Sequence, residues 1–264
     1  MSAVPQPATD APLVDVSVAA GVVTLTMNRP SQFNALSEAM IDALRAELER
    51  VAADPSVRVV VLAGAGKAFC AGHDLREMRA QPSLDYYQHL FGQCTRLMMA
   101  IQRMPQPVIA RVHGVATAAG CQLVAMCDLA VASEDARFAV SGVNLGLFCS
   151  TPSVALSRNL SRKAAFEMLV TGEFVSAQAA VEKGLVNHAV PADRLDAEID
   201  RIAQLIAAKP AVAIAAGKGL FYRQLEMGIE AAYQLAGQTM ACNMMEPPTL
   251  EGVQAFIEKR KPNW

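Results

Sequence analysis

Residues 67–75 of the chain read Lys-Ala-Phe-Cys-Ala-Gly-His-Asp-Leu and follow the apolar run 58–62. The run predicts a buried strand, and the segment after it leads into a helical stretch. Small residues in a strand-to-helix turn let a ligand approach main-chain N–H groups, which at a helix N-terminus favour a developing negative charge. The segment therefore predicts an α/β fold with a backbone anion site at the end of a strand.

A second segment of the same kind occurs at residues 113–122, which read His-Gly-Val-Ala-Thr-Ala-Ala-Gly-Cys-Gln. It follows the strand-like run 107–112 and opens another helical stretch. Two such turns in one α/β core would aim two N–H donors at one carbonyl oxygen, which is the geometry of an oxyanion hole. Tight packing of a helix on a sheet also selects Gly and Ala, so both interpretations stay open at this point.

The flanking sequence alternates strand and helix patterns over the first two thirds of the chain. The runs 13–18 and 22–27 predict a hairpin, and Ser37 predicts the N-cap of a helix with a periodic apolar face. From about Ser161 onward helical periodicity dominates. We therefore expect a loose tail over 1–12, a core over 13–200 and a C-terminal helical region over 201–264.

Composition limits the classes of function. The 264 residues are 53% hydrophobic and 18% charged, with a formal net charge of −2. These values argue against a disordered chain and against nucleic-acid binding through phosphate contacts. The longest apolar stretches are shorter than the roughly 20 residues of a bilayer span, so no membrane association is expected. Six cysteines without a Cys-x-x-Cys pair, and no visible leader or transit peptide, favour free thiols and a cytoplasmic protein.

An ordered set of motifs covers nearly the whole chain beyond the tail. Together they resemble the enoyl-CoA hydratase/isomerase, or crotonase, family, and the segments 116–132 and 144–152 are similar to its branch of enoyl-CoA hydratase domain-containing proteins. The motifs are Asn28-Arg29-Pro30, Asn34-Ala35-Leu36, 68–75, 113–123, 127–130, 138–152 and 256–262.

The resemblance implies a spiral of ββα units whose C-terminal helical region forms a homotrimer or a dimer of trimers. It also implies an acyl-CoA thioester as ligand, with coenzyme A as part of the substrate and with neither a separate cofactor nor a metal. The family stabilises an enolate with two backbone N–H groups, which here would belong to His73 and Ala119. The remaining contacts with the acyl-CoA would come from Asn34, Ala35, Leu36, Ala71, Asp74, Leu75, Gly120, Phe256 and Lys259. For Asp74 a helix cap, and for Lys259 a solvated charge, are the alternatives.

The sequence departs from the family at its acid and base positions. The two glutamates of the family's hydratases correspond to Gln122 and Gly142 in this chain. Neither residue can transfer a proton near neutral pH, and one general base contributes typically 10²- to 10⁴-fold. His89 is a candidate replacement acid or base, with a surface histidine on a helix as the alternative, while Cys149 is expected only to pack.

Two hypotheses follow. The chain is either an enzyme for another enolate-type acyl-CoA reaction, such as double-bond isomerisation, or a non-catalytic acyl-CoA-binding or scaffold protein. Restoring the carboxylates with Gln122→Glu and Gly142→Glu is expected to raise hydration if the pocket still aligns substrate and water.

Overall fold

The computed structural model describes residues 11–264, so residues 1–10 of the predicted tail lie outside the described residues. The strands within this range are β1 (Val14–Ala19), β2 (Val22–Met27), β3 (Val59–Gly64), β4 (Ala68–Cys70), β5 (Val108–Val112), β6 (Val115–Thr117), β7 (Leu129–Ser133), β8 (Arg137–Ala139), β9 (Val175–Ser176) and β10 (His188–Val190). The α-helices are α1 (Glu38–Ala52), α2 (Leu75–Ala80), α3 (Leu84–Arg103), α4 (Ala119–Met126), α5 (Ser150–Asn159), α6 (Arg162–Thr171), α7 (Ala177–Lys183), α8 (Leu195–Ala207), α9 (Ala211–Gln224), α10 (Ile229–Met244) and α11 (Pro247–Ile257).

The strands form two sheets, and the chain passes repeatedly from one to the other. The larger sheet has the order β1-β2-β3-β5-β7-β10 and the smaller one β4-β6-β8-β9. Each of the pairs β3–β4, β5–β6 and β7–β8 gives one strand to each sheet and is followed by a helix. Successive units therefore stack their strands in parallel, which confirms the predicted spiral of ββα units.

The N-terminal elements follow their local patterns. β1 and β2 pair antiparallel around Ala20–Gly21, as the predicted hairpin requires. Ser37 caps α1, because its side chain accepts a hydrogen bond from the Met40 N–H. The apolar face of α1 is fully buried against the main core, while β3 is buried along its whole length between neighbouring strands.

A buried ion pair fixes the C-terminal helices to the core. Lys218 on α9 places its ammonium 2.7 Å from Asp128 Oδ2 and donates to the carbonyls of Ile101 and Gln106 at 2.9 Å. Tyr222 donates its hydroxyl to the other oxygen of Asp128 at 2.8 Å. The three donors of the ammonium are therefore satisfied by α3 and by the segments that precede β5 and β7, and α9 is held against its own chain.

The remaining C-terminal surface leaves large apolar side chains exposed. On α9–α11 and the turn after α9 these are Phe221, Leu225, Met227, Ile229, Tyr233, Met240, Met244, Met245, Leu250, Val253, Phe256 and Ile257. The predicted start of this region at residue 201 lies inside α8, whose apolar face packs on the larger sheet. Within residues 11–264 no single helix has the length and apolar character to span a bilayer, although the bent pair 192–207 and 211–224, with 103° between them, meets that test jointly.

Candidate functional site

The two small-residue turns singled out in the sequence meet side by side. β4 and β6 pair in parallel, with Cys70 opposite Ala116, so the turns that follow them leave the small sheet together. Gly72 has a φ of +88°, and a Cβ built on it would lie 3.2 Å from Ala119 N. A side chain there would push the turns apart, which explains why the first turn requires glycine.

Neighbouring main-chain groups hold the first turn in place. The Leu36 N–H donates to Gly72 O at 2.8 Å, and the Asp74 N–H donates to Leu36 O at 3.2 Å. Leu36 itself is fully buried. These two hydrogen bonds lie on either side of His73. They orient the His73 backbone without using the His73 N–H as a donor.

Both N–H groups that the resemblance assigned are available. Among the described residues, neither the His73 N–H nor the Ala119 N–H donates a hydrogen bond to a protein acceptor. Ala119 is the first residue of α4, where N–H groups have no intrahelical partner. Ala118 before it has φ 50° and ψ −120°, a conformation that non-glycine residues rarely adopt and that turns the next N–H outward.

A cavity of about 210 Å³, here called the central cavity, opens between the two turns. It is lined by Ala71, His73, Leu75 and Met78 from the first turn and α2, by Phe91 of α3, by Ala118 and Ala119, and by residues of the loop 141–152. No Lys, Arg, Asp or Glu is among the described residues that line it. A larger open cleft of about 340 Å³ beside α1 and α9 touches neither turn. The central cavity is therefore largely apolar, and both residues predicted to supply an N–H group line it.

The imidazole of His73 is part of the apolar wall. Its ring meets the Phe91 ring edge-on, with centroids 5.4 Å apart and planes at 82°. Its Nε2 atom is buried and has no hydrogen-bond partner among the described residues. Burial lowers the pKa of His73 to about 4, so the ring is neutral at pH 7. A neutral ring beside the two N–H groups adds no competing charge.

The two positions that the resemblance matches to the family's glutamates differ in their surroundings. Gln122 is 5% exposed, and its Oε1 has no partner among the described residues. It lies one helical turn beyond Ala118 and Ala119, on the same face of α4. Gly142 lines the central cavity itself, but a Cβ on it would lie 2.5 Å from Leu147 O and 2.8 Å from Cys149 Sγ.

This contact argues against the expectation that Gln122→Glu with Gly142→Glu would raise hydration. The Leu147 carbonyl belongs to the backbone, so a glutamate at Gly142 requires the whole loop to move. The sequence shows that position 142 has no carboxylate. It does not show that Leu147 and Cys149 fill the space beside this position.

The other predicted contact residues divide into those on the cavity wall and those behind it. Ala71 and Leu75 line the cavity, whereas Asn34, Ala35, Leu36 and Gly120 are buried behind the turns. Asn34 donates to Ala65 O at 2.9 Å and Ala68 O at 2.8 Å, so its amide ties neighbouring loops together. A structural role accounts for its burial.

Four predicted residues are not among those that line the central cavity. Asp74 caps α2 by accepting the Arg76 and Glu77 N–H groups and pairs with Arg29 at 3.3 Å, in agreement with the capping alternative. His89 lies on the exposed side of α3, 3.7 Å from Glu38, in agreement with the surface alternative. Phe256, which is 85% exposed, and Lys259 lie at the C-terminal end of α11 and do not line the cavity.

Sequence reasoning missed two features of the loop 141–152. Ser141 lines the cavity, and its hydroxyl lies 3.0 Å from the Thr117 hydroxyl of the second turn. Cys149 also lines the cavity at the N-cap of α5, so the structure brings it into the same space as His73. The helix-start pattern at 150 was the available signal, but the distance of some 75 positions between these residues hid their proximity.

Comparison with known proteins identifies relatives that carry the same family description. Residues 17–264 match the sequence model of the family described as Enoyl-CoA hydratase/isomerase. The chain is 46% identical over 253 residues to the mitochondrial enoyl-CoA hydratase domain-containing protein 3 of Xenopus laevis, covering 96% of this chain and 86% of that protein.

Solved structures agree with this assignment. An enoyl-CoA hydratase of Mycobacterium smegmatis superposes with a TM-score of 0.95 at 67% identity, covering 96% of this chain and 99% of that one. Human enoyl-CoA hydratase domain-containing protein 3 gives a TM-score of 0.93 at 43% identity, covering 96% and 100%. The predicted crotonase-like fold is confirmed.

The predicted cytoplasmic location is wrong, because the Xenopus relative is a mitochondrial protein. The prediction used free thiols and the lack of an evident targeting pattern. Unpaired cysteines indicate a reducing environment, and this property does not distinguish one reducing compartment from another.

Proposed function

Because this chain belongs to the enoyl-CoA hydratase/isomerase family, we propose that it binds an acyl-CoA thioester with the thioester oxygen between the His73 and Ala119 N–H groups. One observation carries the proposal: two N–H groups without protein acceptors belong to turns that touch at Gly72, at the wall of an apolar cavity. Donors fixed before the ligand arrives need no reorganisation when negative charge develops on the oxygen. The site therefore favours the enolate form of the thioester.

The acyl group that fits is uncharged and largely apolar. The cavity wall combines Leu75, Met78 and Phe91 with Leu145, Leu147 and Phe148, and none of its lining residues within 11–264 offers a cation to a second carboxylate. Burying an unpaired carboxylate there would cost several kcal/mol, on the order of 3 or more. We therefore assign saturated and unsaturated hydrocarbon acyl groups to this site.

The choice between hydration and another enolate-type reaction depends on which group can transfer a proton. The amide of Gln122 and the hydrogen of Gly142 cannot serve as acid or base, and the neutral His73 has a pKa lowered to about 4 by burial. Efficient hydration through two carboxylates is therefore not part of the proposal. An enolate-type reaction with a different proton carrier is the first candidate.

Non-catalytic acyl-CoA binding is the second candidate. It is favoured by the loop at Gly142, because Leu147 O and Cys149 Sγ fill the space that a catalytic side chain would need. Binding through the two N–H groups would persist under either candidate, and turnover separates them.

We further propose that the exposed apolar surface of α9–α11 is buried in a homotrimer or in a dimer of trimers. Exposed patches of this extent commonly mark subunit interfaces. Phe256 and Lys259 lie at the edge of this surface and remain in the proposal as contacts to coenzyme A outside the central cavity.

The test measures binding and turnover on one purified sample. Calorimetry with acetoacetyl-CoA, whose enolate resembles the charge that the site would stabilise, is expected to show saturable binding, while crotonyl-CoA is hydrated slowly or not at all. Absence of acetoacetyl-CoA binding would overturn the proposed site. Rapid hydration of crotonyl-CoA would overturn the assignment of Gln122 and Gly142 as inactive positions.

A further inference from the structure

The sulfur of Cys149 occupies the volume that a side chain at position 142 would need. A Cβ on Gly142 would lie 2.8 Å from Cys149 Sγ, which is shorter than any normal contact between carbon and sulfur. Cys149 is 7% exposed and lines the central cavity. The Cys149 thiol therefore occupies the space beside Gly142, a position at which this chain has no reactive side chain.

The surroundings of the sulfur are those of a thiol held for reaction. Cys149 is the N-cap of α5, a helix of 10 residues, and its sulfur lies beside Gly142. A helix N-terminus stabilises a thiolate, and the neighbouring Gly142 backbone lowers the pKa of the thiol. Burial acts in the opposite direction and raises the pKa of the Cys149 thiol, so the protonated thiol is the resting form.

Polar groups without partners indicate that a ligand completes this space. His73 Nε2 is buried on the same cavity wall without a partner, and Gln122 Oε1, on a side chain that is 95% buried, lacks one as well among residues 11–264. Buried polar atoms normally have hydrogen-bond partners. His73 and Ala119, whose N–H groups have no protein acceptor among the described residues, line the central cavity, and Gln122 lies one helical turn beyond Ala119 on α4. These groups fit a polar head on an apolar ligand.

We propose that Cys149 is a covalent acceptor site, at which its thiol adds to the β-carbon of an α,β-unsaturated acyl thioester. This inference rests on the proposed acyl-CoA binding. The thioester oxygen would lie between the two N–H groups, and the cavity wall that carries Cys149 faces the acyl part of the same ligand. The reaction is the sulfur counterpart of adding water across the double bond.

The step balances without any further reactant. The S–C3 bond forms as the C2=C3 π electrons move toward the thioester oxygen, giving an enolate that the N–H groups of His73 and Ala119 stabilise. The proton released from the thiol ends on C2, and no group leaves. The product is a saturated thioether that still carries coenzyme A, and reversal of the same steps releases the enoyl thioester.

Intact-protein mass spectrometry tests the proposal on the full-length chain. After incubation with crotonyl-CoA and acid quenching, we expect a mass increase equal to the whole crotonyl-CoA molecule, and peptide mapping is expected to place it on Cys149. Butyryl-CoA has no double bond and is expected to leave the mass unchanged. Excess acetoacetyl-CoA, added first, should protect the residue.

Two cysteine variants make the assignment specific. Cys149→Ser is expected to lower the adduct by about tenfold or more, because a hydroxyl is a far weaker nucleophile than a thiol. The matched control is Cys242→Ser, on the exposed surface of α10, which is expected to leave the adduct unchanged. If Cys149→Ser does not fold, peptide mapping of the wild-type protein with crotonyl-CoA and butyryl-CoA gives the same decision.

The outcomes separate this inference from the proposed function. Acetoacetyl-CoA binding without a crotonyl-CoA adduct on Cys149 would overturn the covalent site and leave the binding site intact. Transfer of the acyl group alone, with loss of coenzyme A, would also overturn it. Failure of acetoacetyl-CoA to bind would instead remove the proposed function on which the inference rests.

Discussion

Gly72 and Ala119 are in contact across the two turns of the central cavity, with 3.2 Å between the position of a Cβ on Gly72 and the Ala119 nitrogen. The contact joins residues 47 positions apart in the sequence (119 − 72). It sets the spacing of the two N–H groups, because His73 follows Gly72 directly. The proposed thioester-oxygen site therefore depends on a residue without a side chain.

Gly72→Ala is expected to weaken acetoacetyl-CoA binding by about tenfold or more, which corresponds to about 1.4 kcal/mol. The new methyl group would separate the turns and misalign the donors. Calorimetry measures the effect. The control is Gly184→Ala, at φ +85° on the exposed end of α7, which imposes the same left-handed strain far from the cavity. Equal affinities in both variants would contradict the spacing role of Gly72.

Ala118→Gly is expected to leave the free energy of unfolding unchanged or to raise it by up to about 1 kcal/mol. Glycine relieves the strain of φ 50°, ψ −120°, and this gain offsets its larger entropy in the unfolded chain. Urea unfolding measures the difference. Ala46→Gly on the exposed face of α1 serves as the comparison and is expected to cost about 1 kcal/mol. A comparable loss at both positions would argue against strain at Ala118.

His73 is expected to make stability depend on pH between about 7 and 4. Its pKa is lowered by burial from 6.5 to about 4 in the folded protein, so the unfolded chain binds the proton more readily in that window. The contribution of the neutral His73 ring to the free energy of unfolding is fully present above the pKa of His73 in the unfolded chain. It is lost as the pH falls toward 4. From pH 7 to pH 5 the loss is about 2 kcal/mol.

Replacement of the ring tests this dependence. His73→Gln is expected to reduce the loss of unfolding free energy between pH 7 and pH 5 by about 2 kcal/mol. It should keep acetoacetyl-CoA binding within a few-fold, since the main-chain N–H remains. An unchanged pH dependence in the variant would show that another group is responsible.

Asp128→Asn is expected to destabilise the protein by about 3 kcal/mol, because it leaves the buried Lys218 ammonium without its counterion. Burial lowers the pKa of Lys218 and the Asp128 charge opposes that shift, so the carboxylate favours the charged ammonium. Chemical denaturation measures the loss. The exposed pair Arg45–Glu49 is the comparison, with Glu49→Gln expected to cost no more than about 0.5 kcal/mol. Similar small effects in both variants would contradict the anchoring of α9 by this pair.

The double variant Gln122→Glu with Gly142→Glu is expected to lose stability and to gain no crotonyl-CoA hydration. The Cβ at position 142 would overlap with Leu147 O, and overpacking of this kind costs typically 1–3 kcal/mol. Thermal unfolding and a spectrophotometric hydration assay measure the two effects. A stable double variant with strong hydratase activity would show that the loop 141–152 adapts.

Local patterns were enough to predict many elements of this protein. The alternation of β1 and β2, the Ser37 cap and the apolar face of α1 each follow from a few adjacent residues, and the structure confirms them. The succession of motifs along the chain also identified the crotonase-like fold. The lack of a titratable side chain at Gln122 and Gly142 was visible for the same reason, since a residue's ability to titrate depends first on its type.

The site depended on information that is not local. Parallel pairing of β4 and β6 puts Gly72 beside Ala119, and the path of the loop after β8 puts Cys149 against Gly142. The sequence by itself predicted many elements and their order, and it showed that Gln122 and Gly142 carry no carboxylate. Only the tertiary structure decided which N–H groups stay free, which space is closed and which side chains share the cavity. Those properties arise from contacts between segments that are distant in the sequence, and periodicity and residue type do not predict such contacts.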